Sequence, residues 1–433
     1  MIKAGAWSER GPFAAGALVL LGAWLMRPYG NLGDAANVPW FLAAAGVMGA
    51  GFLVGLVCGR VNPAWFWMVA LAARIVLFGM TPGHDVYRYL WEGELQNAGY
   101  SPYCFAPGAM ELGPLRDAHW RMLEHKEVSA IYPPLAEVVF RMVTAVSASV
   151  AAMKALFVAA DLAVCWLLVR RHGATLALGY AWNPLVIYSF SGGGHYDSLF
   201  LLAIVGAIAQ WEGGDSAGRR LRGALLLGAG VALKWLSLPL LGWALWRVLR
   251  LDGVRRLATV VAAAGAPFAI AWLVVAWGSW GCPLVPGDFT RVARSAEALP
   301  ALASWLLPPR HILDQNSSYL VIFLAVAAIL LLRQAEMPRA AHATLSAALL
   351  TTPMFHAWYG TWILPFLPAT RSWASVALSL SAFVYFWLHH TVGQPGGIWR
   401  QTVWEKLLLW GPFVMGLIVD EWARRRVRKE DMA

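Results

Sequence analysis

The sequence predicts an all-α polytopic membrane protein, a bundle of about 11–13 transmembrane helices with two long extracytoplasmic loops. Apolar runs of the roughly 20 residues needed to cross a bilayer recur along nearly the whole chain. Across its 433 residues, 59% of side chains are hydrophobic and only 13% charged, so water is not the solvent for most of its surface. The 25 tryptophans and 12 tyrosines suit such a protein, because amphipathic rings favour the headgroup level and line polar cavities. No soluble domain of useful size remains, and residues 1–433 read as a single transmembrane domain.

Lys3 and Arg10 precede PFAAGALVLLGAWLM, which leads into further apolar runs without a clear small-residue cleavage site. It therefore reads as a first span, 12–28, and not as a removable signal. Further spans are expected at 36–59, 62–80, 151–170, 174–191, 196–212, 222–249, 256–277, 316–333, 340–356, 372–389 and 402–422. Residues 132–150 carry Glu137 and Arg141 in an apolar pattern and either span or lie at the interface. Residues 222–249 form one long helix or two short ones meeting near Lys234 to Pro239, since backbone breaks at membrane depth are tolerated where they line a polar cavity.

The net charge of +10 excludes nothing by itself, but the basic residues cluster beside apolar spans, as orientation in a membrane requires, so no nucleic-acid partner is expected. RRRVRK, 424–429, places the C-terminus in the cytoplasm, and Lys3 and Arg10 place the N-terminus there. Three spans then put a first long loop, 81–131, outside; the second runs from 278 to 315. Arg170, Arg171 and RRLR, 219–222, argue for cytoplasmic turns that bring SGGGHYDS, 191–198, to the outer face, provided 132–150 does not span and 222–249 is broken. The cysteines lack metal-ligand spacing. Cys58 and Cys165 lie in spans, whereas Cys104 and Cys282 fall in the two long loops and can pair if those face an oxidising compartment.

Against this apolar background GHDVYRYLWEGELQNAGYSPY, 83–103, is anomalous. As a helix it sets Asp85, Arg88, Tyr89 and Glu92 on one face, an arrangement suited to a polar ligand and equally to an interfacial helix wetted by water. IYPPL, 131–135, places Tyr132 at an extended entry into the next helix. In GGGHYDSLF, 192–200, helix capping accounts for Asp197 or Ser198 but not for His195. GVALKWLSLPLL buries Lys234, which either meets an anion or snorkels to the interface. PMFHAWYGTWILPF sets His356 among Trp358, Tyr359 and Trp362, with an aromatic belt as the alternative. Asp161, isolated in VAADLAV, calls for a packing partner such as Arg141.

The succession HDVYRYLWEG, NAGYSPY, IYPPL, GGGHYDSLF, LKWLSLP, QNSSY and HAWYGTWILPF, covering residues 81–366, resembles the bacterial GT-C glycosyltransferases that use polyprenyl-phosphate sugars, especially the mannosyltransferases dependent on polyprenyl-phosphate mannose. The resemblance implies a GT-C-like bundle whose first outer loop carries the catalytic base, here Asp85. Relatives often have WDG followed by a basic residue where this chain has WEGE, with Glu92 and Glu94, and GHND where it has GHYD. Those departures leave the acceptor and any role for Tyr196 open.

The implied reaction deprotonates an acceptor hydroxyl and neutralises a departing phosphate in a single inverting displacement. Asp85 is the expected base, helped by His84 or tuned by Arg88. Lys234, Arg88, His195 and His356 are expected at the donor phosphate. His84, Tyr89, Trp91, Glu92, Tyr132, Asp197, Trp358 and Tyr359 are expected to contact sugar or acceptor, with Trp362 as a further stacking ring. No metal and no cofactor beyond the lipid-linked donor is implied. The expected partners are membrane lipid, that donor, and a glycan, lipid or protein acceptor, at the inner or plasma membrane. A secondary transporter would also bury ionisable groups, but it should show repeated halves, and DVYRYLWEG and HYDSLF have no duplicates. A catalytically silent lipid-glycan-binding protein would not need Asp85.

Overall fold

The computed structural model describes residues 10–430 except 215, 277–280, 283, 285–292, 309–311 and 335. Lys3 and much of the second outer loop lie outside the described residues, as do the side chains of 427–430 within the basic tail. Regular structure among the described residues is helical: α1 (Gly11–Met26), α2 (Asn37–Val57), α3 (Pro63–Phe78), α4 (Asp85–Asn97), α5 (Ala118–Arg121), α6 (Pro134–Val146), α7 (Val150–His172), α8 (Ala174–Ala181), α9 (Pro184–Ile187), α10 (Asp197–Glu212), α11 (Ala217–Leu233), α12 (Leu238–Val275), α13 (Leu299–Leu306), α14 (Asn316–Leu332), α15 (Met337–Thr351), α16 (Leu367–Thr370), α17 (Trp373–Ser381), α18 (Trp387–Val392) and α19 (Val403–Glu430).

Three helical stretches, Asn37–Val57, Val150–His172 and Trp235–Val275, are long and apolar enough to cross a membrane, and α3 and α14 are shorter apolar helices. The faces these helices turn outward are hydrocarbon. Ile270 and Leu273 on α12, Leu320 and Val321 on α14, and Leu408 and Met415 on α19 are all exposed, a surface that water would not tolerate but lipid does. The chain is an all-helical membrane protein.

Several expected spans are broken. Residues 174–191 form α8 and α9 joined through Trp182 and Asn183, followed by a π turn over Tyr188–Gly192. Pro184 cannot donate a helical hydrogen bond, and Asn183 Oδ1 restarts the helix by accepting from the Leu185 amide at 3.0 Å. Of the two readings of 222–249, the broken one holds: Lys234 is extended, at φ −156° and ψ 119°, between α11 and the turn Trp235–Ser237. A second reversal at Gly253, φ 79°, divides the run 238–275 in two. The segment 132–150 yields only the 13-residue α6, short of a span.

These breaks set which ends of the helices meet. Arg171 pairs with Glu212, and Arg220 with Asp252, joining the basic ends of α7, α10, α11 and the first part of α12. At the opposite end the Gly83 amide donates to Gly193 O at 3.0 Å, and Cys104 is disulfide-bonded to Cys282, tying the first long loop to the second. The second loop is anchored further where the Ser295 amide donates to Pro353 O and the Phe355 amide to Ser295 O, at 3.1 and 2.8 Å.

Asp161 pairs with Arg74, not with Arg141: Arg74 Nε lies 2.5 Å from Asp161 Oδ2, and Arg74 Nη1 donates to Ala70 O and Ala181 O. Arg141 lies on the short α6, five residues before its end, and Asp161 is already met by Arg74. Helix α4 packs so closely on α6 that a Cβ at Gly93 would stand 2.4 Å from Phe140 O and 2.6 Å from Thr144 Oγ1. Gly93→Ala is expected to force the two helices apart and lower stability by about 1–3 kcal/mol, measured as a lower thermal midpoint in detergent.

Candidate active site

Asp85 occupies the first turn of α4, and the loop that carries it docks on the glycine turn 192–194. Gly194 has φ +75°, and a Cβ there would meet Val86 Cγ2 at 2.6 Å. A side chain at that position would separate the two loops. This contact brings His195 Nδ1 to 3.4 Å from Asp85 Oδ2. The His195 ring, 2% exposed, is held flat against Trp358 at 3.7 Å between centroids, and Trp358 in turn stacks on His356 at 4.5 Å. His356 Nδ1 is 2.7 Å from the Tyr385 hydroxyl.

The break at Lys234 supplies a cation. Its Nζ lies 2.5 Å from Asp197 Oδ1, which also accepts from Trp362 Nε1 at 2.6 Å. The ammonium sits over the rings of Tyr359 and Trp362, each 4.6 Å away, and of Tyr196 at 5.2 Å. Tyr196 closes the end of α11 by donating from its hydroxyl to Leu233 O. Asp197, 1% exposed, is thus an ion-pair partner rather than a helix cap. Lys234 is 16% exposed and Asp85 36%, so an ammonium and a carboxylate remain reachable at the same end of the bundle.

Burial pushes the Asp85 carboxyl up, but the hydrogen bond and charge of His195, with charge from His356 and Lys234, outweigh it and hold the carboxyl below its ordinary range. Asp85 is therefore ionised at neutral pH. A base of this kind loses activity only as pH falls through its lowered pKa, below the usual value of about 3.9. Replacing His195 with alanine is expected to move the acid limb of the kcat/KM profile to higher pH.

The remaining expected residues are held by other contacts. Arg88, expected at a phosphate, is buried and donates from Nη2 to Val128 O at 2.7 Å and His125 O at 3.2 Å, with Nη1 3.6 Å from Glu92. Glu92, expected at sugar or acceptor, is buried beside Glu137; burial pushes it up to about 7, Arg88 opposes this and Asp85 adds to it. Trp91 packs with Leu95, Leu112 and Leu123 in a separate cluster of the outer loop. Tyr89 stacks on Phe140 at 4.6 Å, and Tyr132 packs edge-on against Tyr89, Phe140 and Tyr196. α4 turns Arg88, Tyr89 and Glu92 toward α6 and the loop behind it, whereas Trp91 faces the outer-loop cluster. His84 turns to Met122 O at 3.2 Å and Glu124 at 3.5 Å, on the exposed side of the same loop.

Tyr385 and Lys154 were not among the expected residues. Lys154 Nζ donates to Met80 O at 3.0 Å beneath the glycine turn. Buried Lys154 near the start of α7 carried a sequence signal, an ionisable group in an apolar run, whereas Tyr385 in FVYFWLHH carried none.

Asp85, His195, Lys234, Asp197, His356, Trp358 and Tyr359 thus come together from four separate stretches of chain, giving a reachable carboxylate, a cation and stacked rings. No curated protein and no solved structure matches this chain. The family model for the N-terminal domain of alpha-(1->6)-mannopyranosyltransferases matches residues 6–250, more than half of the sequence and all of the segment from the first helix through Asp85, His195 and Lys234. The chain belongs to that family of GT-C-type mannosyltransferases.

Proposed function

We propose that this protein moves a mannosyl residue from a polyprenyl-phosphate mannose to an acceptor hydroxyl on the extracytoplasmic face, by one inverting displacement. The observation that carries the reading is the carboxylate of Asp85, 36% exposed, sharing one end of the bundle with Lys234. Asp85 Oδ accepts the acceptor's proton as its oxygen attacks the anomeric carbon, and the bond to phosphate oxygen breaks. Lys234, reachable at that end and over the rings of Tyr359 and Trp362, offers the departing phosphate a positive charge in surroundings that screen it poorly. Trp358 and Tyr359, both partly exposed, offer faces to the sugar. A lipid-phosphate donor suits this site because the surrounding helices present hydrocarbon to the bilayer, along which an isoprenoid tail can lie.

The disulfide supports the outer face, since such bonds persist in oxidising compartments. The basic turns at Arg171 and Arg220 occupy the opposite end, as a cytoplasmic side would require. The test offers purified protein labelled polyprenyl-phosphate mannose or labelled nucleotide-activated mannose, with membrane extract as acceptor source. Label is expected to leave the lipid donor alone. Consumption of the nucleotide sugar, or of neither, would overturn the proposal.

A further inference from the structure

On the far side of α4 from Asp85, three side chains converge that the transfer reaction does not use. Glu94 follows Asp85 by nine residues, two and a half helical turns, and so projects from the opposite face. His119 Nδ1 lies 3.2 Å from Asp117 Oδ2 and 3.7 Å from Glu94 Oε2, and one ligand atom from each residue falls within 4.8 Å of the others. Atoms bonded to one ion at about 2.0–2.2 Å stand roughly 3–3.6 Å apart, close to these separations.

The local fold orients the groups independently of each other. Asp117 Oδ1 accepts from the Trp120 amide at 2.8 Å, which opens α5 and leaves Oδ2 turned to His119. Trp120 is fixed by its own Nε1 donating to Pro107 O and by Arg116 and Lys126 over its ring. Arg116 donates to Gly108 O and Ala109 O and not to the carboxylates. Among the described residues no lysine or arginine pairs with Glu94 or Asp117. Two carboxylates and an imidazole nitrogen therefore face one another with no fixed cation between them, an arrangement that repels unless something positive enters.

Two further atoms point to what enters. His119 Nδ1 is itself buried and has no hydrogen-bond partner. Beside it is a cavity of about 180 Å³ lined by Trp91, Glu94, Leu95, Leu115 and Asp117. Trp91 is 2% exposed, yet its Nε1 has no acceptor. A buried indole N–H at the wall of a cavity that also bears two carboxylates wants an oxygen to donate to, and an ion-bound water supplies one.

We propose that Glu94, Asp117 and His119 bind a divalent ion of the zinc class, with water from the cavity completing its coordination and accepting from Trp91 Nε1. One imidazole and two carboxylates suit zinc better than magnesium or calcium, which favour all-oxygen sets. The ion touches no reacting group; it staples the 107–121 loop to α4, the helix that carries Asp85. The transfer step proposed above does not run through this ion, and the two proposals stand or fall separately.

The full-length protein, purified without a histidine tag and stripped with chelator, is titrated with Zn²⁺, reading bound metal per chain and the thermal midpoint. One equivalent is expected to bind saturably and raise the midpoint. His119→Ala and Glu94→Gln, each confirmed folded by its apo midpoint, are expected to weaken binding at least roughly tenfold. No saturable Zn²⁺, or an affinity in both variants equal to that of the unsubstituted protein, would show that the site takes no metal.

Discussion

Asp85→Asn is expected to lower the rate of mannosyl transfer by about 10²–10⁴-fold, the usual contribution of a positioned general base, or roughly 2.7–5.5 kcal/mol of barrier. Asparagine keeps the shape of the side chain but cannot take a proton. Binding of donor should change little, because the residue acts on the acceptor hydroxyl, so the loss should appear in kcat. The fold should survive: Asp85 is partly exposed, and the loop beneath it is held by Gly83 and Gly193 backbone. A variant that turns over at the wild-type rate would remove Asp85 from the chemistry.

Lys234→Ala is expected to cost both activity and stability. From sequence alone, a lysine at a helix break serves donor binding and its loss leaves folding nearly intact. The pairing with Asp197 changes that expectation, since removing one partner leaves a carboxylate 1% exposed without its cation. Breaking a buried pair in this way costs about 3–5 kcal/mol. Trp362 Nε1 still donates to Asp197 and keeps the loss toward the lower end. The double variant Lys234→Ala/Asp197→Asn removes the orphaned charge, so its thermal midpoint should recover while donor use stays low. Recovery of both would make Lys234 a structural lysine; recovery of neither would show that the lost stability does not come from an orphaned charge on Asp197.

The motifs of the site were legible because ionisable groups in apolar sequence are costly and therefore stand out. Asp85, His195, Lys234 and His356 were singled out that way, and the structure brings them to one end of the bundle. The same signal misdirected at α4: spacing placed Asp85, Arg88, Tyr89 and Glu92 on one face, but it does not say what that face packs against. Gly93 lets α6 approach, and the face closes over Arg88, Glu92 and Glu137. The partner of Asp161 was misread for a related reason: Arg74 stands out in its own apolar run, but it is 87 residues away and local sequence does not say which span it faces.

By itself the sequence determined that the chain is helical and lives in a membrane, and that its polar motifs belong to one lineage of sugar-transferring proteins. Hydropathy and residue order carry those properties, since each is a sum over many local choices that no single contact can reverse. Only the tertiary structure decided which polar groups meet: that Lys234 faces Asp197 rather than open water, that His195 reaches Asp85, and that Cys104 meets Cys282 across 178 residues. Pairings of that kind depend on where helices break and how closely they approach, and an ångström of packing settles them.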